Sequence, residues 1–215
     1  MERFDVVVIG AGPAGSAAAI RLAEAGASTL LLDRARFPRD KPCGGGLTGR
    51  ALKEAPCDVG PVVEESVHEV ELRVGGRAAH RRSAEPLILM TQRRRLDLHL
   101  AEQAQARGAE FRDGVRAELH DGSTVAAAGE RLRADVVIVA DGANGVAARE
   151  LAGPVVHGVA LEGNADYPDE SYRGRALFEF GSVPGGSVPG GITTRRADAW
   201  ELPAVEPRTR PGRTG

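Results

Sequence analysis

The chain has 215 residues, which is enough for one sizeable domain and a remainder but too few for two enzyme domains of ordinary size. Hydrophobic residues make up 42% and charged residues 27%, which excludes collagen-like, disordered and membrane-spanning classes as descriptions of the whole chain. The 28 basic and 30 acidic residues give a net charge of −2, so the composition offers no general attraction for nucleic acid or anionic lipid.

The first elements predicted along the chain form a βαβ unit. Phe4–Ile9 is an apolar, valine-rich run without alternation, typical of a strand buried on both faces of a parallel sheet. Ala14–Ala25 is rich in alanine, leucine and isoleucine and is followed by Gly26, which predicts a helix ended by a glycine cap. Ser28–Leu32 predicts a second parallel strand, which ends at Asp33.

The rest of the chain predicts further strands and helices up to a change of composition near residue 184. After a long loop at 34–46 we expect a short helix at 47–55, strands at 67–74 and 86–91, a helix at 96–106, a hairpin within 115–132 and a buried strand at 134–140. The segment Ser-Val-Pro-Gly-Gly then occurs twice in succession, and the residues beyond it are rich in arginine and proline. Such a tail buries too little apolar surface to offset its ordering entropy, so we predict disorder over 192–215.

A glycine pattern stands where the first strand meets the first helix. The run Gly10-Ala11-Gly12-Pro13-Ala14-Gly15 has a buried strand before it, a helix after it and Asp33 at the end of the next strand. This is the dinucleotide fingerprint in its required context. Gly10 allows the tight turn, Gly12 lets the backbone lie against a diphosphate, and Gly15 lets the helix pack closely on the strand. Asp33 would accept hydrogen bonds from an adenosine ribose, but the pattern itself fits FAD and NAD equally.

The loop after the second strand distinguishes between these cofactors. Residues 36–48 are RFPRDKPCGGGLT, and residues 6–23 are VVVIGAGPAGSAAAIRLA. Together they closely resemble the geranylgeranyl reductase family of FAD-dependent oxidoreductases, which are related to flavin monooxygenases of the para-hydroxybenzoate hydroxylase type. The resemblance implies FAD as cofactor, with Cys43 and Gly44–Gly46 lying along the flavin. An alternative for Cys43 is a small packed residue without a role in the reaction.

Two later motifs extend the resemblance. Arg93, four residues before Asp97, corresponds to the family's arginine at a helix start, where a guanidinium can bind a diphosphate through two donors. The alternative is that Arg93–Arg95 form a solvated face. Asp141-Gly142 resembles the Asp-Gly motif with which flavin hydroxylases hold FAD, the alternative being a helix N-cap. The FAD-binding residues implied in this way are Gly10, Gly12, Pro13, Ala14, Gly15, Asp33, Arg34, Cys43, Gly44, Gly45, Arg93, Val115, Asp141 and Gly142; no catalytic residue and no metal site is predicted.

These elements predict an α/β fold in three parts. Residues 1–153 form a Rossmann-like FAD-binding domain with a parallel central sheet, a small β-meander and an inserted segment at 60–92. Residues 154–191 form the first strands of an antiparallel substrate domain, and 192–215 form the tail.

The resemblance implies hydride transfer through the flavin to an isoprenoid or other apolar small molecule, with NADPH as a candidate electron donor. The family's later motifs do not follow residue 186, so we expect a truncated or frame-shifted product with impaired turnover. Three alternatives stay open: a non-catalytic FAD- or ADP-binding remnant, a monooxygenase-like hydroxylase, and an NAD-dependent dehydrogenase. The loop at 36–48 and the Asp141-Gly142 motif argue against the last of these.

The sequence also bears on location and partners. Cys43 and Cys57 form neither a disulfide framework nor a metal-ligand pattern, which favours a reducing cytoplasm. We expect no signal peptide, no transmembrane segment and no nucleic-acid partner. Peripheral membrane contact and the oligomeric state stay open.

Overall fold

A computed structural model describes residues 1–74, 76–143, 145, 170–180 and, for the backbone only, 191–193. Its elements are β1 (Arg3–Ile9), α1 (Pro13–Glu24), β2 (Thr29–Leu32), β3 (Gly46–Thr48), α2 (Gly49–Lys53), β4 (Glu65–Val67), β5 (Glu69–Val74), β6 (Arg77–Arg82), β7 (Ile88–Met90), α3 (Arg93–Ala106), β8 (Glu110–Arg112), β9 (Ala117–Asp121), β10 (Thr124–Ala127), β11 (Glu130–Val139), β12 (Arg175–Phe180) and β13 (Gly191–Thr193). The predicted elements up to residue 140 are present with shifted boundaries, except that the helix expected at 47–55 is strand β3 followed by the shorter α2. Among the described residues, no helix is both long and apolar enough to cross a membrane.

The chain divides into two compact units. The first comprises Met1–Glu65 and Leu89–Glu162, and the second comprises Ser66–Ile88 and Gly163–Gly215. The sequence predicts 60–92 as an insertion in the first domain, whereas the structure groups Ser66–Ile88 with the second unit, because β5 pairs with β12. Ile192 and Thr193, which the sequence assigns to the tail, lie in β13; residues 194–215 lie outside the described part of the chain.

The first unit contains a six-stranded sheet of order β8-β2-β1-β11-β10-β9. Strands β8, β2, β1 and the second half of β11 are parallel, with Val7 opposite Leu30 on one side and Val137 on the other. Strands β9, β10 and the first half of β11 are antiparallel and form a β-meander. The predicted Rossmann-like α/β class with a parallel sheet and a small meander is thereby confirmed.

Alternate residues of β1 enter two separate cores, which explains its continuous apolar run. Val6 and Val8 pack with residues of α1 and α3, including Ile20 and Leu100, on one face of the sheet. Val7 and Ile9 pack on the other face with residues of β2 and of the meander. Burying each such side chain stabilises the fold by about 1.5–3 kcal/mol, so the two cores hold the end of β1 in a rigid position.

The second unit contains a mixed sheet of order β13-β12-β5-β6. The β5–β6 and β12–β13 pairs are antiparallel, while β12 and β5 run parallel. On one face the buried Glu71 accepts hydrogen bonds from Arg73 Nε (2.6 Å) and Arg175 Nη2 (3.2 Å). The pair of Arg175 with Glu71 therefore links β12 to β5 on this face.

The turn between β9 and β10 yields a pH prediction. The backbone N–H of Ser123, with help from its hydroxyl, lowers the pKa of Asp121 from 3.8 to about 2. Because the pKa is lower in the folded state, the ionised Asp121 carboxylate stabilises the turn at pH values above its unfolded pKa. This stabilisation is lost as the pH falls toward 2. We expect an NMR titration of the Asp121 carboxyl to show a midpoint near the lowered value, and Ser123→Pro, which removes the N–H, to move it upward. A midpoint at the ordinary aspartate value in the unmodified chain would contradict the prediction.

Candidate functional site

The carboxyl ends of three adjacent parallel strands, β2, β1 and β11, meet at Gly10. Its N–H donates to the carbonyl of Leu32 (2.7 Å), and its φ of +104° lies in the region that favours glycine. A Cβ at this position would overlap the carbonyl oxygen of Ala140. Asp33 follows β2 and Asp141 follows β11, so the fold brings both predicted carboxylates to this turn, as expected where ligands bind in open α/β sheets.

Helix α1 starts directly from this turn. Gly12 is its N-cap and offers no side-chain acceptor, and Pro13 occupies the first helical position. A Cβ on Gly15 would overlap the carbonyl oxygen of Gly10, so the helix start lies against the turn with no room for a side chain. The N-terminus of α1 therefore presents backbone N–H groups and a positive dipole end beside bare Gly12 backbone, a suitable place for an anion.

The Asp33 carboxylate stabilises the glycine turn by accepting backbone hydrogen bonds. It is 8% exposed, and its two oxygens accept hydrogen bonds from the backbone N–H groups of Ala11 (2.8 Å) and Ala35 (2.9 Å). Each oxygen keeps a second lone pair, so the carboxylate can still accept a hydroxyl donor. Val115 lies beside it, since its N–H donates to the Asp33 carbonyl (2.8 Å), whereas the Arg34 side chain is exposed.

Arg93 is fixed by a carboxylate on its own helix. Its Nε and Nη2 each donate to one oxygen of Asp97 at 2.8 Å, and the Asp97 side chain is fully buried. Burial acts to lower the pKa of Arg93, but the hydrogen bonds and charge of Asp97, with a smaller effect of the Cys43 thiol, raise it above its ordinary value. A Cβ built on Gly12 would lie 3.7 Å from Arg93 Nη2. The predicted arginine is therefore at the helix start, fully charged and held in one orientation.

Arg39 is a site residue that the sequence analysis missed. Its Nη1 lies 3.1 Å from Asp97 Oδ2 and its Nη2 lies 3.6 Å from Asp33 Oδ2, with the side chain 15% exposed. The guanidinium also stacks over the Phe37 ring, 5.0 Å from its centroid. The only sequence signal was a basic residue in the loop that resembles the reductase family, because no spacing rule relates Arg39 to Asp97.

The three consecutive arginines have different environments. Arg94 and Arg95 are exposed and pair with Asp40 (3.4 Å) and Glu64 (3.3 Å), respectively, whereas only Arg93 turns inward. The solvated-face alternative therefore holds for two of the three positions. The Arg94–Asp40 pair, which is exposed on both sides, contributes about 0–1 kcal/mol.

The glycines after Cys43 differ in the space around them. Gly45 is buried with a φ of +70°, and a Cβ there would overlap the carbonyl oxygen of Thr91, whose N–H donates to the Gly45 carbonyl (2.9 Å). Cys43 and Gly44 are exposed, and a Cβ on Gly44 would have no atom within 4 Å. Close packing on Thr91 thus explains why residue 45 is glycine, while Cys43 and Gly44 lie in an open stretch of the loop.

Asp141 lies directly above a buried glycine. A Cβ on Gly145 would overlap the Asp141 carboxyl group, and the Gly145 N–H donates to the carbonyl of Gly142 (2.8 Å). Gly142 has a φ of +83°. A tight glycine turn therefore holds the Asp141 carboxyl group at the end of β11. The N-cap alternative for Asp141 concerns a helix whose residues lie outside the described part of the chain.

The two cysteines provide a chemical test of the loop. Burial raises the pKa of the Cys57 thiol, which lowers its thiolate fraction, while Cys43 is exposed. We expect iodoacetamide to modify Cys43 several-fold faster than Cys57 at neutral pH, and saturating FAD to slow the reaction at Cys43 alone. Mass spectrometry of the unmodified chain and of Cys57→Ser would measure both rates. An unchanged Cys43 rate with FAD bound would place the flavin elsewhere.

Comparisons with known proteins agree with this geometry. The family model described as FAD binding domain matches residues 3–165. Menaquinone reductase of Mycobacterium tuberculosis is 35% identical over 88% of this chain and 51% of its own length. Geranylgeranyl diphosphate reductase of Rhodobacter capsulatus is 35% identical over 69% of this chain and 40% of its own length. The chain thus spans about half the length, or less, of these relatives.

A solved structure shares the fold. It is a geranylgeranyl bacteriochlorophyll reductase-like protein from Thermoplasma acidophilum, with a TM-score of 0.67 and 23% identity over 85% of this chain and 51% of that one. The resemblance to geranylgeranyl reductases that the motifs predict is confirmed.

Proposed function

Because the chain belongs to the FAD binding domain family, we propose that it forms the cofactor-binding part of a flavin-dependent reductase of isoprenoid or other apolar substrates. The observation that carries the proposal is the meeting of the glycine turn, the buried Asp33 and the fixed Arg93 at the start of α1. Bound FAD supplies the hydride chemistry of such an enzyme.

The residues present fit FAD in two respects. The glycine turn forms a cradle at Gly10, Gly12 and Gly15. Cβ atoms at Gly10 and Gly15 would fill it, so their absence lets a ligand approach the backbone closely. Among the described residues, the buried Nε of Arg39 has no hydrogen-bond partner, as expected where a ligand completes the site. Both features point to an anionic group at Gly12.

Each part of the cofactor has residues to hold it. We assign the diphosphate to the N-terminus of α1 and to Arg93, and the adenosine ribose to Asp33 with Val115 beside it. The exposed Cys43 and Gly44 lie along the flavin and let backbone N–H groups approach the ring without side chains in the way. Asp141 and Gly142 close the site from β11.

Substrate and donor follow from the relatives. Those named above act, by their names, on menaquinone and on geranylgeranyl diphosphate, which supports an apolar small-molecule substrate. We propose NADPH as the electron donor. Cys43 and Cys57 are both free thiols, which supports a reducing, cytoplasmic location.

The test is FAD binding followed by reduction. We expect the purified chain to quench flavin fluorescence on titration and to show the visible flavin bands, which NADPH then bleaches without oxygen. Asp33→Ala should weaken FAD by roughly 10- to 100-fold, the loss expected for charged hydrogen bonds, while Asp40→Ala, on an exposed carboxylate of the same loop, should not. NAD binding without flavin binding would refute the proposal, and flavin binding without bleaching by NADPH would favour a non-catalytic FAD-binding protein.

A further inference from the structure

The Arg39 guanidinium is largely buried, and one of its donors has no partner among the described residues. Its Nη1 forms an ion pair with Asp97 at 3.1 Å and its Nη2 forms one with Asp33 at 3.6 Å, whereas the buried Nε has no hydrogen-bond partner among the described residues. A guanidinium carries five N–H donors in a fixed plane. Burying the Nε donor without an acceptor is costly, so its position needs an explanation.

The two neighbouring carboxylates do not fully provide those acceptors. Both oxygens of Asp97 receive donors from Arg93, and both oxygens of Asp33 receive backbone N–H groups. The carboxylates therefore hold Arg39 in place by charge, while each of their oxygens already accepts a hydrogen bond from another donor. The Nε of Arg39, and its Nη2 at 3.6 Å from Asp33, remain available to a third acceptor.

The position of Arg39 indicates what that acceptor is. A Cβ built on Gly12 would lie 3.8 Å from Arg39 Nη2 and 3.7 Å from Arg93 Nη2. Two guanidinium groups thus converge on the bare backbone at the start of α1, where the helix dipole also favours negative charge. A diphosphate has two anionic centres, and planar guanidinium groups match phosphate oxygens in pairs.

Charge balance gives Arg39 a specific task. Without it, Asp33, Asp97 and Arg93 would leave one net negative charge beside Gly12, which would repel a diphosphate in this partly buried site. With Arg39, the charges of the two carboxylates and the two guanidinium groups sum to zero. The dipole of α1 then makes the potential beside Gly12 positive. We propose that Arg39 is a second diphosphate-binding residue, which acts on the anion together with Arg93 and cancels the charge of the ribose-binding carboxylate. This rests on the function proposed above.

The experiment compares ADP with adenosine, which differ in the diphosphate alone. Wild-type chain, Arg39→Gln, Arg39→Lys and the control Arg94→Gln, on an exposed neighbour of Arg93, are titrated with both ligands and with FAD by calorimetry at two salt concentrations. Arg39→Gln should lose roughly 10- to 100-fold in affinity for ADP and FAD, as for a charged hydrogen bond, and nothing for adenosine. Arg39→Lys, which keeps the charge but not the fork, should recover part of the loss, and Arg94→Gln should match wild type.

The outcomes separate the two proposals. Failure of the wild-type chain to bind FAD refutes the proposed function. Wild-type binding combined with an Arg39→Gln affinity for ADP within twofold of Arg94→Gln overturns the role of Arg39 alone. Equal losses for ADP and adenosine also overturn it, since they mean that Arg39 only supports the fold. If Arg39→Gln does not fold, full ADP affinity in Arg39→Lys overturns the proposed fork, and a partial loss specific to ADP supports it.

Discussion

Replacing Gly15 by alanine is expected to destabilise the first unit by about 3 kcal/mol or more and to abolish FAD binding. The new Cβ would overlap the Gly10 carbonyl oxygen and lie 3.2 Å from the Ala140 side chain, so helix and turn must separate. Neither can move freely, because β1 is buried on both faces. Urea unfolding followed by circular dichroism, together with FAD titration, measures both effects.

Gly49→Ala is the matched control for that substitution. Gly49 is the first residue of α2, and a Cβ there would have no atom within 4 Å. We expect its unfolding free energy to change by no more than about 1 kcal/mol, in the stabilising direction, because alanine favours helix over glycine. Equal stabilities for Gly15→Ala and Gly49→Ala would show that the close packing of α1 on the turn is not required.

Replacing Asp97 by alanine is expected to cost about 3–5 kcal/mol of stability, the loss typical of breaking a buried ion pair from one side. The substitution would leave Arg93 without its two hydrogen bonds and Arg39 without its nearer carboxylate. Both guanidinium groups would then lose their orientation toward Gly12, so FAD affinity should fall together with stability. The urea midpoint and the FAD titration test this on one preparation.

Asp135→Ala is the control for Asp97→Ala, because it removes an ion pair that is exposed rather than buried. Asp135 pairs with Arg3 at 2.8 Å, but the two side chains are 53% and 68% exposed, so the expected cost is about 0–1 kcal/mol. The two pairs have similar distances and differ in burial. An unfolding free energy of Asp97→Ala equal to that of Asp135→Ala would contradict the central role of the buried carboxylate.

The βαβ unit and its glycine turn were predictable because their signals are local. An unbroken apolar run indicates a strand buried on two faces, and glycines at fixed spacing before a helix indicate the turn, whatever the rest of the chain does. The same holds for Asp33, which ends the next strand. The helix predicted at 96–106 also followed from local periodicity, whereas the role of Arg93 at its start came from the resemblance to the reductase family.

The pairing of distant segments was not predictable in this way. Because β5 pairs in parallel with β12, Ser66–Ile88 belongs to the second unit. No pattern in the sequence of either strand predicts which strand it pairs with. The contact of Gly45 with Thr91 likewise joins two loops, so the sequence alone could not separate a packing glycine from a ligand-facing one.

By itself, the sequence determined the class of this protein and the strand, turn and helix start that form the proposed nucleotide site, since each depends on neighbouring residues. Only the tertiary structure decided which charges surround that site. Arg39 and Asp33 are close together in the chain but far from Asp97, and the three residues meet because the loop after β2 folds back over α3. Charge interactions depend on distance in space, which residue spacing does not report.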